Sequence, residues 1–149
     1  MIQVYSTAAT STANMTVTWA TTAVQRGTTA TLAADNQTIN LNAPGVYEVT
    51  VNGYGTTTAA GTFGLRLNGD GAAISRAASS MTTDAGEVGN ATFSTLVAVN
   101  GTYASGTKAA LTVTYTGGAG TITLVSTALT ALAILGMSLS GSFWVFCLF

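Results

Sequence analysis

The sequence predicts an all-β protein, an antiparallel sandwich or jelly roll of about ten short strands. Three observations carry this. Residues 40–55, NLNAPGVYEVTVNGYG, hold the only proline, Pro44, followed by Gly45 and then by strict alternation. Tyr47, Val49 and Val51 point to one face, and Val46, Glu48, Thr50 and Asn52 to the other. Pro-Gly makes a corner, and the period of two makes a strand with one buried side. The second observation is a series of Gly- and Asn-containing turn signals at short, regular spacing, with no helical periodicity between them. The third is composition: threonine makes up roughly a fifth of the chain, and threonine suits a pleated, half-exposed surface.

Taken in order, residues 2–5 read as a first strand. Residues 15–20, MTVTWA, alternate Met15, Val17 and Trp19 against threonines and read as a strand with one apolar face. Residues 25–32 read as a weaker strand and 37–41 as a short one before the Pro44-Gly45 corner. The long strand 46–54 follows. In 62–68, Phe63, Leu65 and Leu67 share a face and Arg66 lies on the other. Asn68-Gly69-Asp70-Gly71 is the strongest turn signal in the chain, because Asn-Gly and Asp-Gly tolerate the positive φ angles of tight hairpins. Residues 72–79 return as its partner strand, and 81–89, polar and acidic, read as a loop. Residues 91–99 form a strand that turns at Asn100-Gly101. Residues 109–115 form another, with Leu111, Val113 and Tyr115 inward. Gly117–Gly120 is a flexible turn, and the last strand starts near Thr121.

At 149 residues the chain has room for one domain with a real core. No linker breaks it; the reading divides it into a body, 1–135, and a hydrophobic aromatic tail, 136–149. Only 6% of residues are charged against 48% apolar, which excludes a disordered chain. Four Lys and Arg in all, at net charge −1, argue against nucleic-acid binding, which needs a basic stripe. Solubility then rests on hydroxyls or on burial of surface in an assembly, and the second is favoured. The first ten residues lack the basic start and apolar run of a signal peptide, so the product is expected to remain at first in the cell that makes it. Asn14, Asn36, Asn90 and Asn100 fit the glycosylation pattern, as chance provides in so threonine-rich a chain.

No charged residue follows Lys108. Three readings of the end compete. The stretch 129–149 is long enough for a membrane helix, yet it holds serines and glycines, lacks Lys or Arg flanks and runs out of a strand pattern. Alternatively, 124–135 is a central strand buried on both faces, and 136–149 packs on a neighbouring subunit. In the third reading the tail anchors into another protein through Phe143, Trp144, Phe146 and Phe149, since aromatics are typical interface anchors. The last two are compatible, and together they make those four residues the candidate trimer or capsid contacts.

The chain carries no catalytic constellation. It has no histidine, so a Ser-His-Asp or Cys-His arrangement is impossible. A lone Cys147 offers neither an internal disulfide nor a metal cluster. Asp84 and Glu87 are near in sequence, but acidic residues of Gly-containing loops are mostly solvated, and no loop has calcium ligands at regular spacing. No cofactor is expected. Glu48 and Arg66 could pair across neighbouring strands. Trp19, Tyr54 or Tyr103 could stack on a sugar if exposed, although alternation places Trp19 in the core.

Pro44-Gly45-Val46-Tyr47-Glu48-Val49, then Gly64-Leu65-Arg66-Leu67-Asn68-Gly69, then 93–99 with its Asn-Gly turn, then Leu111-Thr112-Val113 and Leu129-Thr130-Ala131-Leu132 follow one another in an order that resembles the complement C1q and tumour-necrosis-factor-like jelly rolls. The chain is more similar still to the small Thr/Ala/Gly-rich versions encoded by bacteria and their phages. The opening IQVYSTAAT and the phrase TTAVQRGTT resemble phage head-fibre or capsid-decoration proteins. The resemblance covers 2–135 and leaves the tail unexplained. It implies a ten-stranded protomer, a threefold homotrimer and no enzymatic activity. The Gly45, Tyr47, Val49 and Val51 corner is its clearest trace. The function expected is a trimeric decoration or head-fibre protein on a phage capsid, its partners itself and capsid proteins, its location the virion surface. The alternative is a bacterial cell-surface or spore-coat trimeric knob that binds carbohydrate or another surface ligand.

Overall fold

A computed structural model describes residues 1–6, 10–11, 14–99, 109–117 and 122–134. They form eleven strands: β1 (Ile2–Ser6), β2 (Thr10–Ser11), β3 (Thr21–Gln25), β4 (Ala30–Leu32), β5 (Ile39–Leu41), β6 (Gly45–Thr57), β7 (Gly61–Gly69), β8 (Ala72–Thr83), β9 (Val88–Val99), β10 (Ala109–Gly117) and β11 (Ile122–Ile134). Two sheets result. The first runs β3-β1-β11-β6-β9, with β2 also on β11, and the second runs β4-β5-β10-β7-β8. Every pairing is antiparallel. The chain crosses between sheets at β3–β4, β5–β6, β6–β7, β8–β9, β9–β10 and β10–β11, so this is a jelly roll, as the alternation predicts.

One layer of side chains fills the space between the sheets. The first sheet supplies Ile2 and Val4, Tyr47, Val49 and Val51, and Leu129 and Ala131. The second supplies Ile39 and Leu41, Phe63, Leu65 and Leu67, and Leu111, Val113 and Tyr115. Each set sits at every second position, which is the pleat of a strand with one dry face. Full burial of one such side chain stabilises by roughly 1.5–3 kcal/mol. Two buried hydroxyls, on Thr57 of β6 and Thr83 of β8, meet at 3.0 Å and join the two sheets through a satisfied polar contact.

Four expectations are corrected. Residues 15–20 do not form a strand. They make one bridge, Thr16 to Thr114, and bonds such as Val17 N–H to Val113 C=O at 2.8 Å. Val17 and Trp19 are nonetheless buried; the Trp19 indole donates to the Gln37 carbonyl at 3.1 Å. Residues 25–32 split into the end of β3 and β4, which lie in different sheets. Residues 81–89 are not a loop: β8 runs to Thr83 and β9 starts at Val88, leaving a turn between. Glu48 and Arg66 do not pair, because β6 belongs to the first sheet and β7 to the second.

The membrane-helix reading also fails at its start, since β11 continues as a strand to Ile134 and stands centrally between β1 and β6. Among the described residues no helix is long and apolar enough to cross a membrane. Leu129 and Ala131 are buried and Thr130 half-buried.

The β7–β8 hairpin turns at Asp70-Gly71 as expected, but β8 is bulged. Arg66 faces Ala78 whereas Asn68 faces Ala73, so one residue of β7 stands opposite four of β8. Arg76 lies in this bulge at φ +62°. The sheets approach closely where β9 begins: a Cβ on Gly89 would stand 2.9 Å from both Phe63 Cβ and Thr83 Cγ2. Gly89→Ala is therefore expected to lower stability by roughly 1–3 kcal/mol in urea unfolding, as overpacking does; an unchanged midpoint would contradict this packing.

Candidate functional site

Most of the carboxylates are engaged by backbone. Asp70 accepts from Ala110 N–H at 2.8 Å, while its own N–H donates to the Ala110 carbonyl at 2.8 Å. Glu87 accepts from Asp84 N–H at 3.1 Å and donates its N–H to the Asp84 carbonyl at 3.1 Å, closing the β8–β9 turn. Asp35 accepts from the N–H groups of Gln37 and Thr38 and from the Thr38 hydroxyl at 2.7–2.9 Å. Those bonds, the Thr38 hydroxyl first, hold its carboxyl below the ordinary value of 3.8. Among the described residues no three His, Cys, Asp or Glu side chains gather where a metal could be held.

The corner at Pro44-Gly45 is structural. Gly45 has φ +150°, a region other residues avoid. Tyr47 is 1% exposed, and its hydroxyl donates back to the Ala43 carbonyl at 2.7 Å. Burial pushes its phenol above the ordinary tyrosine value. Val49 and Val51 continue into the core. Trp19 is buried as alternation predicts, so it presents no stacking surface. Tyr54 is 39% exposed. Tyr103, Phe143, Trp144, Phe146 and Phe149 lie outside the described residues.

A surface feature emerges instead. Of seven exposed large apolar side chains among the described residues, five stand on the outer face of the first sheet: Tyr5, Val46, Tyr54, Val88 and Leu96. Met15 belongs to the second sheet's side of the fold, and Met81 of β8 reaches the first sheet's edge, where its Sδ accepts from Asn90 N–H at 2.9 Å. Leu96 is 62% exposed and Val88 61%. The register brings Val46 beside Ala98, Glu48 beside Leu96, Asn52 beside Thr92 and Tyr54 beside Asn90. Across β11, Tyr5 and Asn52 both pair with Ala128. Glu48 is the only charged residue in all six strands of this sheet. Ser94 donates to its Oε1 at 3.3 Å and accepts from the Thr50 hydroxyl at 3.1 Å.

Sequence reading did not single out Leu96 or Val88. The signal was present: with Ala91 and Val99 inward, the even positions 88–98 of β9 must face out.

No protein-family model and no curated protein sequence matches this chain. Solved structures do resemble it. The globular domain of zebrafish complement 1qA matches with a TM-score of 0.61 at 10% identity, over 89% of this chain and 95% of that one. The Eiger TNF of S. frugiperda matches with 0.56 at 15% identity, over 89% and 92%. These likenesses show the fold, a C1q/TNF-like jelly roll of the kind the strand order implies.

Two outcomes follow from the local bonding. Tyr47→Phe, which frees the Ala43 carbonyl, is expected to cost about 1 kcal/mol in chemical denaturation. The destabilisation caused by Asp35→Ala is expected to hold above pH 3.8, the ordinary value, and to fade as pH falls through the lower folded value. Thermal melts of both proteins across that range check it; a gap that stays constant with acidification contradicts it.

Proposed function

We propose that this chain is a non-enzymatic virion structural protein, a homotrimeric capsid-decoration or head-fibre protein of a bacteriophage. The observation that carries the reading is the outer face of the first sheet, with five exposed apolar side chains among the described residues and a single charged residue over six strands. A face of this kind is stable in water when another protein covers it. A further copy of the same chain is the simplest cover, and closed symmetric assemblies are the common solution. The C1q/TNF-like fold fits such a non-enzymatic assembling domain, and the resemblance of the first strands to phage head-fibre proteins supplies the virion context. The mechanism is binding: the jelly-roll body projects from the shell, and the tail residues Phe143, Trp144, Phe146 and Phe149 contact the capsid or a neighbouring subunit. The reading places the protein on the virion surface after synthesis in the bacterial cytoplasm.

A carbohydrate-binding surface knob is the second reading, and exposed Tyr54 beside Asn90 favours it. An aromatic ring with adjacent amides suits a sugar. Assembly through the first sheet would cover that ring, so the two readings compete for one surface.

Native mass spectrometry is expected to give three chains per particle, and the protein is expected to sediment with capsids of its phage. Leu96→Glu places a second charge on the face and is expected to weaken assembly by on the order of 2 kcal/mol per subunit, with an unchanged far-ultraviolet spectrum. Truncation after Leu135 separates the roles: a trimer that no longer decorates capsids assigns the tail to the shell. Glycan-array binding lost in Tyr54→Ala would turn the reading toward the knob, and a wild-type monomer at all concentrations would contradict both trimeric readings.

A further inference from the structure

An open strand edge borders the apolar face. The two sheets end in β3 and β9, and in β4 and β8. β3 and β4 are five and three residues long, and β8 carries the bulge and Arg76. Shortness, bulges and charge keep an edge from pairing with a further strand. β9 has none of them. It runs for 12 residues with no charge, no proline and no register shift against β6. One bond shows where its free groups point. Asn90 N–H donates to Met81 Sδ at 2.9 Å, away from β6, so Asn90 and Tyr54 form a non-hydrogen-bonded pair. Along the unbroken register the N–H and C=O groups of Thr92, Ser94, Leu96 and Ala98 point the same way. Among the described residues no backbone group meets those four. The edge is also apolar on both faces. Leu96 is exposed outside. Inside, Phe93 and Val97 pack on the core yet are only half-buried, whereas Gly89 and Ala91 are buried.

We propose that the open edge of β9 takes the tail of a neighbouring copy, 136–149, as an added antiparallel strand. This rests on the reading that copies of the chain assemble, and it names what the tail meets in the assembly. The tail lies outside the described residues, and its sequence has the pattern such a strand needs. Odd positions from Met137 to Phe149 hold only apolar residues and Gly141; even positions are serine up to Ser142, then Trp144, Phe146 and Leu148. The wholly apolar side suits the inner face at Phe93 and Val97, and the mixed side suits the outer face at Leu96. Main-chain bonds give such an addition its affinity and alternate side chains its specificity. The tail's point of departure fits as well. Ile134 is in register with Val46, and Val46 with Ala98, so β11 ends level with the Ala98 end of the open edge. Copies in a closed ring share one direction along its axis, which brings a departing tail level with that end of the next copy's edge. β9 and β11 run the same way, both antiparallel to β6, so a tail that turns back there runs antiparallel to β9. The chain continues from Ile134 to Phe149, a stretch of about 50 Å when extended, enough to cross and to pair along 92–98.

The tail supplies its own probe, because Cys147 is the only cysteine and stands at an odd, inner position. In an antiparallel addition the odd positions of β9 form the non-hydrogen-bonded pairs, with Cα atoms about 4.5 Å apart, within disulfide range. Chains carrying Cys147→Ser with Phe93→Cys, Thr95→Cys or Val97→Cys are each reassembled with wild type and mildly oxidised. A disulfide joining a variant chain to Cys147 of a wild-type chain, mapped by mass spectrometry, is expected at one or two of these positions. Its yield is expected to be roughly tenfold above that of Ser94→Cys and Leu96→Cys, which face outward, and of Ala78→Cys on the other sheet. Thr95→Cys removes no core side chain and keeps the test open if the other two fail to fold. Equal yields at inner and outer positions indicate an unordered apolar contact and overturn the added strand. A Thr95→Cys chain that retains Cys147 and forms the bond only within itself overturns the neighbouring-copy source. No bond to Cys147 at any position, while native mass spectrometry still finds an assembly, overturns the inference and leaves the assembly reading intact. A monomer at all concentrations overturns the reading itself.

Discussion

The layer of side chains between the two sheets is the constraint on which the rest of this structure depends. Each long strand must give every second residue to that layer, and the chain obeys the rule through β6, β7 and β10. Tyr47, Val49 and Val51 meet Phe63, Leu65 and Leu67 across it because the chain changes sheet between Thr57 and Gly61. The corner before β6 serves the same end. Gly45 takes a backbone angle open to glycine, and Tyr47 turns its hydroxyl back to Ala43, so the strand enters the layer at the right register.

With one face of every strand committed to the core, the outer faces are free to differ, and they do. The second sheet's outer face is polar and closely knit: Asn68 donates to the Thr114 hydroxyl at 2.6 Å, and Gly64 leaves room for Thr116 and Ser80 to approach. The first sheet's outer face combines hydroxyls with Leu96, Val88 and Tyr54 and a solitary carboxylate. Both sheets are nearly free of charge, with Glu48 on the strands of the first and Arg66 and Arg76 on those of the second, and the two faces differ in the exposed apolar side chains that the first carries.

The fold was legible where apolar residues alternate with polar ones and where turn chemistry is sharp, as in 40–55 and at Asn68-Gly69-Asp70-Gly71. It was illegible where threonine and serine fill both faces. Residues 81–89 resemble a loop because Thr82, Thr83, Asp84, Gly86 and Glu87 make the segment polar, acidic and glycine-containing, yet Thr83 is buried by its partner Thr57 and the strand persists. Residues 15–20 have the right period but only one bridging partner, since β5 already occupies the neighbouring stretch of the same edge of β10. The Glu48–Arg66 pairing failed because sequence neighbours here lie in opposite sheets. As for the candidate surface, period locates its outward positions, but only the register shows that Leu96 and Glu48 adjoin and that the whole sheet has one charge. The aromatic tail was legible as an anomaly, and its residues lie outside those described.

Hydroxyl-radical footprinting read by mass spectrometry, performed above and below the assembly concentration, reads out which sheet is covered. If the outer face of the first sheet is the covered one, Tyr54, Val88 and Leu96 are labelled in dilute protein and protected on assembly, while Met15 labels equally in both. Protection of Met15 with continued labelling of Tyr54 and Leu96 would place the covered surface on the other sheet and contradict this.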